Sequence, residues 1–98
     1  MTAEEAIRVL KAHEAEIRAR GVRRLALCGS TARGDARPDS DVDVLVSVAP
    51  DDKFSLIDQA SLQVRIQDWI GHEVDVLIEE DLKPKLRAAV ERDRVDVF

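Results

Sequence analysis

The chain has 98 residues, 15 Lys and Arg against 20 Asp and Glu, a formal charge of -5 and 45% hydrophobic residues. That length allows one hydrophobic core, so 1–98 reads as a single small domain with little room for a deep enclosed pocket. The acidic balance and the scarcity of aromatic residues (Phe54, Trp69 and Phe98) argue against direct nucleic-acid binding, and the lone Cys28 excludes an internal disulfide or a cysteine-based zinc site.

No apolar run approaches the roughly 18–20 residues of a membrane span. The first five residues carry Glu4 and Glu5 where a secretory signal would carry Lys or Arg. A cytoplasmic protein without a membrane partner is expected, and no internal repeat is visible.

In chain order, Thr2 with Glu5 three residues on has the form of a capping box. Ile7, Leu10 and Ile17 then recur at helical spacing as far as Gly21, predicting one amphipathic helix over 3–19. Val22–Cys28 reads as a buried strand, and Gly29-Ser30-Thr31-Ala32-Arg33-Gly34 as a break holding one helical turn. After a Pro38-containing loop, 41–48 alternates strictly, with Val42, Val44, Val46 and Val48 on one face and Asp41, Asp43, Leu45 and Ser47 on the other. A loop is expected at 50–53. A helix capped by Ser55 and Asp58 follows, running to about 70 and buried through Leu62, Ile66, Trp69 and Ile70, with Gly71 ending it. Residues 73–78 alternate again, with Val74, Val76 and Ile78 opposite Asp75 and Leu77. Asp81 precedes a last helix with Pro84 in its first turn and Leu82, Leu86, Ala89 and Val90 facing inward, and 95–98 reads as an edge strand. This order predicts an α/β (α+β) fold: a mixed sheet of three to four strands with helices mainly on one face.

Aspartate is a poor strand former, yet Asp41 and Asp43 fall in one predicted strand and Asp75 in another. Residues two apart on a strand share a face with Cα atoms about 6.5–7 Å apart. If the Asp75 strand lies beside the other, three carboxylates converge, and a divalent cation relieves their repulsion. Hard oxygen ligands in this number suit Mg²⁺, which also takes substrate phosphates. An isolated Asp-x-Asp arises as readily from a solvated strand face; the company of Gly29-Ser30 is what distinguishes this one. At a strand end opening a helical turn, that pair offers free backbone N–H groups, close approach and a hydroxyl to a phosphate. Cradle and carboxylates together match a metal-bound nucleoside triphosphate.

Gly29-Ser30, ten residues, then Asp41-Val42-Asp43 resembles the G-S-x(10)-D-x-D signature of nucleotidyltransferases of the DNA polymerase β superfamily. The longer stretch GSTARGDARPDSDVDVLV, with SLIDQASLQVRIQDWIGHEVDVLI and DLKPKLRAAV downstream, resembles the minimal nucleotidyltransferases (MNT), in particular the antitoxins paired with HEPN-domain toxins. The resemblance implies that Asp41, Asp43 and Asp75 are catalytic and hold Mg²⁺, two ions in the family chemistry, and that Gly29 and Ser30 contact the phosphates of ATP. It also implies transfer of AMP from ATP to a tyrosine of the HEPN toxin, silencing an RNase. Arg33 and Arg37, close to the cradle, would neutralise the terminal phosphates.

Two other readings stand beside this one: a non-catalytic antitoxin that neutralises the toxin by contact, and a small-molecule nucleotidyltransferase. The latter normally needs a further helical region to hold its acceptor. The remaining polar residues are read as structural. His13 is a surface residue, His72 sits in a turn, and Cys28 is a packed strand residue. Trp69 is core, Glu79, Glu80 and Asp81 favour the start of the last helix through its dipole, and Arg87, Arg92 and Arg94 form a solvated face or partner contacts.

Overall fold

A computed structural model describes residues 1–50 and 54–98; of the loop expected at 50–53, the last three residues lie outside the described residues. Thr2 caps α1 (Ala3–Ala12) by accepting the Glu5 amide at 3.1 Å. The helix expected over 3–19 is in fact two, because the chain leaves helical geometry at His13 before α2 (Glu14–Ala19). There the His13 amide bonds three residues back to Leu10, which tightens the last turn of α1. The His13 ring lies flat on Trp69, with centroids 3.8 Å apart.

Strand β1 (Val22–Cys28) leads directly into the short α3 (Gly29–Arg33). β2 (Val42–Val48) returns antiparallel to β1, and α4 (Leu56–Ile70) crosses to β3 (Val74–Ile78), which lies parallel to β2. A 3₁₀ turn (Glu79–Asp81) and α5 (Pro84–Asp93) precede β4 (Val95–Asp96), antiparallel to β1. The sheet is four-stranded and mixed, in the order β3-β2-β1-β4. Ser55 and Asp58 form the expected capping box on α4, and Gly71 ends that helix.

The sheet has two unlike faces. On one, Leu25, Leu27, Val42, Val44, Val46, Val74, Val76 and Ile78 pack against Leu10 of α1, Ile17 of α2 and Leu62, Ile66 and Ile70 of α4. On the other, Ala26, Cys28 and Leu45 meet Val90 of α5, with Leu77 and Leu82 beside them. The larger cluster sets the register of β2. A slip of one residue would turn its valines to the thin face and bury Asp43 in the core, giving up about 1.5–3 kcal/mol per large apolar side chain and leaving a carboxylate without water.

Four further expectations need correction. Leu86 is half exposed because α5 is anchored mainly through Val90. Trp69 is only partly buried, its ring turned to His13 at the rim of the core. Residues 79–81 form their own 3₁₀ turn and the last helix starts at Pro84, so Glu79 and Glu80 act as hydrogen-bond acceptors for Arg94, Ser47 and Val48 rather than as dipole partners. Arg94 is not solvated: its side chain, 16% exposed, reaches Glu79, Glu91 and Asp96 at 2.8, 2.6 and 3.1 Å.

Candidate active site

The strand pairing sets up a cross-strand row on the thin face. Cys28 is opposite Asp43 in the β1–β2 ladder, and Asp43 is opposite Asp75 in the β2–β3 ladder. Neighbouring strands lie about 4.8 Å apart, so Asp43 and Asp75 stand side by side. Asp41 lies one residue before β2, two before Asp43, and is exposed, as is Asp75. Asp43 is half-buried between them.

Burial, then the charges of Asp75 and Asp41, push the Asp43 carboxyl above its usual range, and the Arg33 guanidinium only partly offsets this. A bound cation would relieve both causes at once. No three acidic, histidine or cysteine side chains among the described residues already converge as a ligand set. The register and the mutual repulsion nonetheless fit Asp41, Asp43 and Asp75 as the donors, and the all-oxygen set suits Mg²⁺.

Gly29 is built against this carboxylate. Its φ is +69°, a left-handed value that favours glycine, and a Cβ there would run into the Asp43 carboxylate oxygen. The missing side chain leaves the space beside Asp43 open at the start of α3, where Ser30 follows. Gly29, Arg33 and Asp43 line one concavity of about 210 Å³ together with Leu77 of β3 and Leu86 and Asp93 of α5.

Arg33 enters this wall already engaged, donating to Asp35 at 3.2 Å and to Asp93 at 3.0 Å. Those two carboxylates raise its pKa. The direction of the guanidinium is thereby set by Asp35 and Asp93. Arg37 does not line the concavity; its backbone amide bonds the Ser40 hydroxyl in the following loop. Cys28, at the end of the carboxylate row, is buried, and burial together with Asp43 pushes its thiol up to about 11, so it rests there as an inert thiol.

The sequence reading missed the residues that hold β3 in place. β3 is an edge strand. Val74 and Val76 donate their amides to Gln67 and Gln63 of α4 at 3.1 and 3.3 Å, and the Val76 carbonyl accepts from Gln59 at 2.7 Å. The signal was present as Gln59, Gln63 and Gln67, spaced four apart along one side of a helix. Asp93, which holds Arg33, left no such signal.

Comparison with known proteins agrees with this architecture. A family model for the nucleotidyltransferase domain matches residues 10–97. The protein adenylyltransferase MntA of Thermococcus cleftensis is 37% identical over 98 residues, which cover 99% of this chain and 97% of that protein. A solved structure provisionally assigned as a minimal nucleotidyltransferase superposes with a TM-score of 0.81 at 34% identity, covering 97% of this chain and 95% of its own. Two toxin–antitoxin structures share the fold. One, with AMP-PNP, has a TM-score of 0.75 at 19% identity and covers 100% of this chain and 73% of its own. The other holds a tri-AMPylated HEPN toxin of Shewanella oneidensis with its MNT antitoxin, has a TM-score of 0.69 at 16% identity and covers 94% and 71%. Among the described residues, the open mixed sheet of four strands with five α-helices matches the minimal nucleotidyltransferase fold. The chain belongs to the nucleotidyltransferase domain family.

Proposed function

We propose that this protein is a protein adenylyltransferase acting as the antitoxin of a HEPN-domain toxin, moving AMP from ATP to a tyrosine hydroxyl of that toxin. The observation that carries the reading is the Asp43–Asp75 register beside Gly29, on a chain 37% identical along its length to an MntA protein adenylyltransferase. The neighbours of the same fold, one with AMP-PNP and one with an AMPylated toxin, support ATP and a HEPN partner.

In this reading Gly29 and Ser30 seat the phosphates, and Arg33 faces their terminal charge. The acceptor oxygen attacks the α-phosphorus; a P–O bond forms to it, the bond to the β-phosphate oxygen breaks, and pyrophosphate leaves with the bonding electrons. An oxygen of the exposed Asp75 carboxylate takes the hydroxyl proton. Mg²⁺, two ions in this reading, would be held by Asp41, Asp43 and Asp75 and supplies neutralisation of the triphosphate charge. No helix among the described residues is long and apolar enough to cross a membrane.

The test is transfer of label from ATP carrying it on the α-phosphate to the cognate toxin, comparing wild type with Asp41→Ala plus Asp43→Ala. The double variant and a chelator should each reduce transfer by about 100-fold or more. If both proteins neutralise the toxin equally and neither transfers label, the chain is a stoichiometric binder instead.

A further inference from the structure

The concavity beside Asp43 has one wall that the phosphate chemistry leaves unused. Along α5, Leu86, Ala89, Val90 and Asp93 follow at helical spacing and line it as a single stripe. The stripe changes character along its length. Asp93, the last residue of α5, bonds Arg33 at 3.0 Å. Leu86, two turns earlier and about 10 Å away along the helix, brings only hydrocarbon. From the sheet, Leu77 of β3 joins this apolar end. It lies two residues beyond Asp75 on the same face, about 6.5–7 Å further along the strand.

The apolar end is not filled from within. Leu86 is 49% exposed, and Leu77 and Ala89 are only partly buried. An exposed leucine by itself means little. Among the described residues, however, Leu86 is the one exposed large hydrophobic that lines the concavity with Asp43. The middle of the thin face, Ala26 and Leu45, is buried against Val90, so an occupant enters at the rim beside Leu86 rather than across the sheet. The volume, about 210 Å³, is below the roughly 300–1,000 Å³ of sites that enclose a whole small ligand, and suits a single ring.

We propose that this apolar end seats the ring of the acceptor tyrosine, and that Leu77 and Leu86 thereby select a phenolic hydroxyl over an aliphatic one. The inference rests on the adenylyltransferase reading and names where its acceptor sits. A ring laid on Leu77 sends its hydroxyl back along β3 to Asp75, the carboxylate that takes the proton in that reading. A serine hydroxyl, on a single methylene, leaves the wall uncovered. Adenine fits less well, because a purine is read through hydrogen bonds to its amino group and ring nitrogens. The side chains of Leu77, Leu86, Ala89 and Val90 carry no polar atom to make them. A phenol turns apolar faces to this wall and keeps its one polar group for the carboxylates, so nothing is left unpaired.

The test follows the leucine methyl resonances of the isotope-labelled full chain with Mg²⁺ and the α,β-methylene analogue of ATP, which cannot transfer AMP. N-acetyl-tyrosinamide or N-acetyl-serinamide is then added. The tyrosine amide should shift the methyls of Leu77 and Leu86, and the serine amide should not. In the label-transfer assay, Leu86→Ala should raise KM for the toxin about fivefold at constant KM for ATP, the effect of losing part of one apolar contact. Leu86→Met, which refills the wall, should restore it. If the ATP analogue alone shifts these methyls and the tyrosine amide adds nothing, the wall seats adenine and the proposal fails. An unchanged KM for the toxin in Leu86→Ala, or equal shifts with the serine amide, would also overturn it. A wild-type chain whose Leu77 and Leu86 methyls respond to the tyrosine amide but which transfers no AMP would leave the aromatic seat standing and overturn the adenylyltransferase reading alone.

Discussion

Gly29 concentrates two constraints in one position: a left-handed backbone and an absent Cβ whose place adjoins the Asp43 carboxylate. Gly34 shares the first, at φ +82°, without the second, since nothing lies within 4 Å of its Cβ position. Gly29→Ala should therefore lower stability by about 1–3 kcal/mol and abolish AMP transfer. Gly34→Ala should carry only the backbone strain, about 1 kcal/mol, and keep its activity. Urea denaturation with the label-transfer assay separates the two; equal loss of activity in both would show that the space beside Asp43 is irrelevant. The Gly-Ser turn and the aspartates were legible as residues because Asp is costly in a strand and therefore conspicuous. The contact between Gly29 and Asp43 was not, since it depends on how β1 and β2 pair across a loop.

At the scale of elements, the position of Asp75 depends on an edge strand held from one side by β2 and from the other by glutamines of α4. Gln63→Ala with Gln67→Ala removes the acceptors for two strand amides, each worth about 1 kcal/mol. Hydrogen exchange at Val74 and Val76 should speed up, and AMP transfer should fall while the fold persists. Unchanged exchange would place the restraint elsewhere.

Glu80 performs a similar task at the far end of β2, accepting the Ser47 hydroxyl at 2.7 Å and the Val48 amide at 3.2 Å. Burial opposes its charge, but these hydrogen bonds win and hold its carboxyl below the ordinary 4.5. A depressed carboxylate pKa contributes stability above that ordinary value, lost as the pH falls through the lower folded value. The gap in Tm between wild type and Glu80→Gln should thus be largest near neutrality and close as the pH falls below 4.5. A gap independent of pH would mean the charge is immaterial.

Across the whole molecule, Arg94 gathers three segments: Glu79 after β3, Glu91 on α5 and Asp96 on β4. Burial works against its charge, yet the hydrogen bonds of Glu91 and Glu79 outweigh this and raise its pKa. Arg94→Ala should destabilise the fold by about 2 kcal/mol or more, because three carboxylates lose their shared cation. A Tm within a degree or so of wild type would refute this. The composition foretold none of it, since a C-terminal arginine surrounded by acids has the same sequence appearance whether solvated or enclosed.

The sequence by itself determined the alternating faces of β2 and β3, the glycine at the turn, the helix caps at Thr2 and Ser55 and the presence of aspartates on those two strands, because alternation, capping and the cost of Asp in a strand are local properties. Tertiary structure decided the break at His13, the exposure of Leu86, the enclosure of Arg94 and the joining of Asp93 to Asp35 as partners of Arg33. Each of these follows from which residues meet across long separations, and in a chain of 98 residues that outcome belongs to the packing of the sheet against its helices rather than to any window of neighbours.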